Sequence, residues 1–132
     1  MKIIVFPRFQ HHLFRAGLYA ALVIVLYLST SKIEGPLPGD LSDKFYHGLC
    51  FFVLGLLCDY AYPDTGFSAI KYTPLFLYGI GIEIIQYFIP YRSFSLADML
   101  ADALGLLAYG LFALALTQAI KHLVKPDAVP RR

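Results

Sequence analysis

Four apolar stretches, separated by short polar connections, organise the 132 residues of this chain. The first predicted span, 14–31, is uncharged over 16–31 and bracketed by Arg15 and Lys32. It sits at the short end of the roughly 17–25 residues that a spanning helix needs. The connection "KIEGPLPGDLSD" follows, where Gly35, Pro36, Pro38 and Gly39 prevent the helix from continuing. A second span, 45–62, stops at Pro63, and a third, 72–89, carries Pro74 in its first turn and Pro90 at its end. The fourth covers 96–120. Long apolar helices joined by short loops predict an all-α, polytopic membrane protein, a single four-helix transmembrane bundle over 1–132.

Composition agrees, since 58% of the residues are hydrophobic and only 15% charged. The net charge of +2 does not point to nucleic acid, because the basic residues gather at the two ends of the chain. Lys2, Arg8 and Arg15 precede or open the first span, and Lys121, Lys125, Arg131 and Arg132 follow the last. By the positive-inside rule both termini are expected in the cytoplasm, which an even number of spans permits. A basic start before an apolar run also resembles a cleavable signal, with Ser29, Thr30 and Ser31 as small residues, but a chain with further spans needs no separate export signal. Ten Tyr and eleven Phe suit interfacial belts. Cys50 and Cys58 lie eight positions apart on one predicted helix, about 12 Å along its axis, too far to bridge. They read as small buried apolar residues.

The topology gives the remaining charges a common address. Asp43, Lys44 and His47 open the second span, Glu83 and Gln86 lie in the last turns of the third, Arg92 occupies the bend, and Asp98 and Asp102 open the fourth. All of these are expected on the outer side. Asp43 and His47 are spaced i,i+4, Glu83 and Gln86 i,i+3, and Asp98 and Asp102 i,i+4, so each helix presents one polar stripe. A carboxylate facing hydrocarbon costs about 2.5–3.5 kcal/mol even on lenient scales, so Glu83 and Asp102 require partners, with Lys44, His47 and Arg92 as the available cations. Gly79 and the series Ala97, Ala101, Gly105 permit close helix approach beside them.

Each residue also has a structural reading. Ser95 and Asp98 fit a capping box, Asp43 answers a helix dipole, and Lys44 can snorkel to the surface. Capping is not expected to explain Glu83, which lies toward its own helix's C-terminal end, where the dipole disfavours an acid. Arg92 is expected as the counter-ion of the cluster, or as an anion anchor.

The order "DKFYHGLCFFVLG", then "EIIQYFIPYRSFSLADMLADALG", resembles the VanZ-like family of small bacterial membrane proteins. The resemblance is best over 43–110 and holds for the first span only in character. It implies that Asp43, Lys44, His47, Glu83, Gln86, Arg92, Asp98 and Gly105 match family positions, while Asp102 stands where the family usually has Asn. It also implies a bacterial inner-membrane location and, in some relatives, an envelope role linked to teicoplanin resistance.

Three functions are open at this point. The cluster Asp43, Lys44, His47, Glu83, Gln86, Arg92, Asp98 and Asp102 can bind a lipid-linked or amphipathic envelope molecule, Arg92 and Lys44 engaging an anionic head group. It can instead catalyse a reaction on such a molecule, with His47 or Glu83 as general acid or base and Asp98 with Asp102 able to hold a divalent ion. Or it can be a buried network that fixes helix order. Membrane lipids are the expected partners, and no cofactor or resident metal is expected, because no HExxH motif or nucleophile elbow occurs. A proton pathway is disfavoured by the expectation that the inner half carries no matching relay.

Overall fold

The computed structural model describes residues 8–32, 40–63 and 69–123, and every regular element among them is helical. In chain order these are α1 (Arg8–Thr30), α2 (Asp40–Ala61), α3 (Ala69–Tyr87) and α4 (Leu96–Leu123). The four apolar stretches thus become four helices. Two of them, Gln10–Thr30 and Leu96–Leu123, are long and apolar enough to cross a membrane. The other two are interrupted by Asp43, Lys44 and Asp59 in α2 and by Lys71 and Glu83 in α3. Lys2, Lys125, Arg131 and Arg132, on which much of the orientation argument rests, lie outside the described residues, as do Pro36 and Pro38.

The first three helices begin earlier than hydropathy alone predicts, while α4 starts at Leu96 as expected. α1 starts at Arg8 because its polar first turns have a partner: His11 Nδ1 lies 3.0 Å from the Tyr60 carbonyl, and Arg15 Nε donates to the Ala61 carbonyl at 3.1 Å. α3 starts at Ala69, which places Pro74 in its second turn rather than its first. The missing N–H there removes one helical hydrogen bond.

These contacts also set direction. The start of α1 meets the end of α2, the end of α1 meets the end of α3, and the starts of α2 and α4 meet each other. Successive helices therefore alternate in direction. The closest pairing is nevertheless between α2 and α4, which run parallel. A Cβ on Gly105 would fall on the Gly48 carbonyl, so the two backbones touch where neither residue has a side chain. Ala101 and Gly105 of the small-residue series supply this contact, whereas Ala97 is exposed. Below it, Phe51, Leu54, Cys58, Leu18, Leu75 and Leu106 form the core. Both cysteines are free, as their spacing requires.

The surface is apolar and two acids are buried beside the apolar core, unlike a water-soluble domain. Glu83 and Asp102 are 0% and 1% exposed, while Leu100, Leu104, Leu107, Leu111 and Leu114 form an exposed stripe on α4 at helical spacing. Val23, Ile24 and Tyr27 do the same on α1. Lipid is the solvent that fits such a surface, because hydrocarbon accepts leucine and rejects carboxylate.

Gly105→Ala is expected to destabilise the protein by about 1–3 kcal/mol, the usual cost of overpacking a tight contact, because α2 and α4 must move apart. Gly81→Ala, where a Cβ meets nothing within 4 Å, should leave the melting temperature unchanged or raise it. Thermal melts of the detergent-purified variants check both.

Candidate functional site

One end of the assembly gathers the start of α2, the end of α3, the bend at 88–95, the start of α4 and the end of α1. Each helix brings orphaned backbone groups to this end, and most of the polar side chains go to them. The last carbonyls of α1 are closed from the bend: Arg92 Nη2 donates to Leu28 O and Ser31 O at 3.1 and 3.0 Å, Gln86 Nε2 to Ser29 O at 2.9 Å, and Tyr91 Oη to Thr30 O at 2.9 Å. Arg92, expected among the acids as their counter-ion, is thus placed on the carbonyls of α1. A guanidinium at a helix C-terminus also answers the negative end of the dipole.

The start of α4 is closed in two halves. Ser95 Oγ accepts the Asp98 N–H at 3.2 Å, the expected N-cap bond. The reciprocal bond of a capping box would run from the Ser95 N–H to the Asp98 carboxylate, but here Glu83 Oε2, reaching across from α3, takes it at 2.8 Å. The expectation that capping leaves Glu83 unexplained is therefore corrected. Glu83 lies toward the wrong end of its own helix and at the right end of the next one, where the dipole favours an anion. Its second oxygen, Oε1, is buried without a hydrogen bond.

Because Glu83 holds Ser95, Asp98 is released toward α2. His47 Nδ1 lies 3.0 Å from Asp102 Oδ1, His47 Nε2 lies 4.0 Å from Asp98 Oδ2, and Lys44 Nζ lies 3.9 Å from Asp98 Oδ1. Asp43 joins them: one ligand atom each from Asp43, His47 and Asp98 falls within 4.8 Å of the others. An ionised carboxylate only accepts, so the bond to Asp102 puts a proton on Nδ1, while Nε2 faces Asp98 without a hydrogen bond. Gly79 makes room for this, since a Cβ there would lie 2.7 Å from Asp102 Oδ2. The anticipated residues thus divide into a cluster of Asp43, Lys44, His47, Asp98 and Asp102, a cap in Glu83, and a brace for α1 in Gln86 and Arg92.

A second polar network, at the other end, was not anticipated. Asp59 Oδ1 accepts from Lys71 Nζ at 2.6 Å and from Tyr72 Oη at 3.0 Å, and its Oδ2 accepts from Tyr109 Oη at 2.7 Å. Lys71 also reaches Tyr62 O, and His11 and Arg15 take the Tyr60 and Ala61 carbonyls. The expectation of an inner half without matching acids is corrected to this extent. The signal was present: an acid in the last turn of α2 opposes the dipole and demands a cation, the same reasoning that singled out Glu83. Asp59 is about 18 Å along α2 from His47, with the apolar Phe51, Leu54 and Leu106 layer between them.

Comparison with known proteins gives this arrangement a family. The VanZ/LLP1 family model matches residues 9–117. The chain belongs to the VanZ/LLP1 family. The match extends the resemblance beyond 43–110 to include nearly all of α1, whose end Gln86 and Arg92 hold. An uncharacterized protein of the fission yeast Schizosaccharomyces pombe is 31% identical over 103 residues, covering 75% of this chain. The chain spans 64% of the length of that yeast relative. No solved structure matches.

Removing the Glu83 carboxylate should act on stability through α4. Glu83→Ala leaves the half-buried Ser95 N–H without its partner and is expected to cost about 1–3 kcal/mol, while Glu83→Gln, which keeps an acceptor, should cost less. Arg92→Ala is expected to lower the melting temperature and increase hydrogen exchange at 28–31, the end of α1. Mass-resolved exchange on the two variants would separate these effects by helix.

Proposed function

We infer that this VanZ/LLP1 protein is a four-span protein of the bacterial cytoplasmic membrane, with both termini in the cytoplasm, which binds the head group of a lipid-linked or amphipathic envelope molecule. The observation that carries this reading is the grading of exposure across the cluster. Asp102 and Asp98 are buried, the His47 side chain is 15% exposed and that of Lys44 37%, so the polar groups lead outward instead of being sealed in. A network serving only to fix helix order needs no such opening.

The same geometry narrows the head group. With Arg92 on α1, the cluster sets Lys44, beside Asp98, and His47 among three acids, Asp43, Asp98 and Asp102, so it is rich in acceptors. That composition suits hydroxyl- or amine-bearing head groups better than bare phosphate. The fission-yeast relative favours a lipid class shared by bacteria and fungi over one confined to glycopeptide resistance, the role the family name suggests for some members. A second reading, acid–base catalysis on such a lipid, is supported by the 3.0 Å pair of His47 and Asp102, which resembles the base and orienting acid of many hydrolytic sites.

Native mass spectrometry of the purified protein with its co-purifying lipids tests the binding reading. Lys44→Ala, at the exposed edge of the cluster, should deplete one lipid species at least several-fold without a change in melting temperature, and an unchanged lipid profile sinks the idea. Turnover of that species by wild type but not by His47→Gln would favour the catalytic reading. For orientation, a fluorescent protein fused after Arg132 should fluoresce, and a periplasm-dependent phosphatase fused there should be inactive.

A further inference from the structure

We propose that Asp43, His47 and Asp98 form a binding site for a divalent transition-metal ion, with Asp102 positioning the imidazole. The inference is independent of any lipid ligand.

Three features of the site lead there. The first is the donor set: an imidazole and two carboxylates whose ligand atoms lie within 4.8 Å of one another, two of them supplied by one face of α2 at i,i+4 and the third by the first turn of α4. The second is the orientation of His47. Its Nδ1 is engaged by a carboxylate that is 1% exposed, which leaves Nε2 to coordinate, and a carboxylate behind a ligating histidine is the usual support of a metal-bound imidazole.

The third feature is Asp98 itself. It is 6% exposed, and its Oδ1 is buried without a hydrogen-bond partner. Its two nearest positive or protonatable neighbours, Lys44 Nζ at 3.9 Å and His47 Nε2 at 4.0 Å, both stand beyond hydrogen-bonding distance. A buried carboxylate facing an unbonded imidazole nitrogen at that distance is matched by a cation between them, which coordinates once Nε2 gives up any proton it holds. Metal–ligand bonds of about 2.0–2.2 Å place tetrahedral ligands roughly 3.4 Å apart, so separations of up to 4.8 Å must close by up to about 1.4 Å on binding, through side-chain rotation. Lys44, the half-exposed neighbour of Asp98, can withdraw its ammonium toward solvent as this happens.

The chemistry selects the ion. One nitrogen and carboxylate oxygens suit Zn²⁺ or Mn²⁺ better than Mg²⁺ or Ca²⁺, which prefer all-oxygen shells. Three protein ligands leave a position for water or for a ligand oxygen. The expected pairing of Asp98 with Asp102 on the ion is revised, because Asp102 faces Nδ1 on the far side of the ring. The parallel α2 and α4 are fixed at Gly48 and Gly105, next to His47 and one turn beyond Ala101, so the spacing of the three ligands is set by backbone contact.

The test is calorimetric titration of the full chain, purified in detergent and stripped with chelator, with Zn²⁺, Mn²⁺ and Mg²⁺ in turn. One Zn²⁺ or Mn²⁺ per chain is expected, with Mg²⁺ at least tenfold weaker. Asp43→Asn and Asp98→Asn should each weaken binding at least tenfold, and Asp102→Asn by about 10–100-fold. Lys44→Ala should bind as tightly as wild type or more tightly. Asp43→Asn keeps the bundle testable, because Asp43 is only half-buried, and its melting curve without metal should match wild type. Absence of stoichiometric binding by wild type overturns the proposal. So does an affinity unchanged by Asp43→Asn and Asp98→Asn, which would place the ion at other histidines.

Discussion

Backbone groups at helix ends have no partner within their own helix, and in a chain surrounded by hydrocarbon they cannot rely on water. That constraint organises the polar residues of this protein. The last carbonyls of α1 are taken by Gln86, Tyr91 and Arg92, those of α2 by His11, Arg15 and Lys71, and the first N–H groups of α4 by Ser95 and Glu83. In each case closure comes at least partly from another helix. Capping therefore does the work of tertiary assembly: a helix end is satisfied only when the correct neighbour is present.

This arrangement frees a particular subset of polar groups. Glu83 relieves Asp98 of its capping duty, and Arg92 is committed to α1, so the charges left between α2 and α4 are mostly acidic. Two buried carboxylates with few hydrogen bonds are costly in isolation. His47 and Lys44 partly offset that cost, and a bound cation would offset more. The glycine contact between α2 and α4 brings the acids of one helix against the histidine of the other, and Gly79 lets α3 approach Asp102. Packing of the smallest residues thus determines the electrostatics of the site.

Hydropathy made the four helices legible, and span ends matched to within a few residues at 30, 61, 87 and 123. The starts were less legible, because α1 begins with RFQHHLFR, a polar segment whose helical state depends on α2. The convergence of Asp43, Lys44, His47, Asp98 and Asp102 was legible from spacing and common depth. The role of Glu83 was half legible: its position opposed its own dipole, which signalled a partner without saying that the partner was the next helix. Asp59 carried the same signal, an acid at the end of its own helix, and its partners Lys71, Tyr72 and Tyr109 lie on other helices, which only their packing brings together.

The sequence by itself determined that the chain forms four apolar helices and where its polar residues fall along them, since periodicity and Pro and Gly breaks are local properties. It also determined that Cys50 and Cys58 cannot join, because a helix fixes the distance between them. Tertiary structure decided which polar residue answers which. A hydrogen bond from Arg92 to Leu28 or from Ser95 to Glu83 depends on helix crossing and on rotamers, and the parallel contact of α2 with α4 depends on two glycines 57 positions apart meeting face to face. Only that meeting turns charges scattered along two helices into one site.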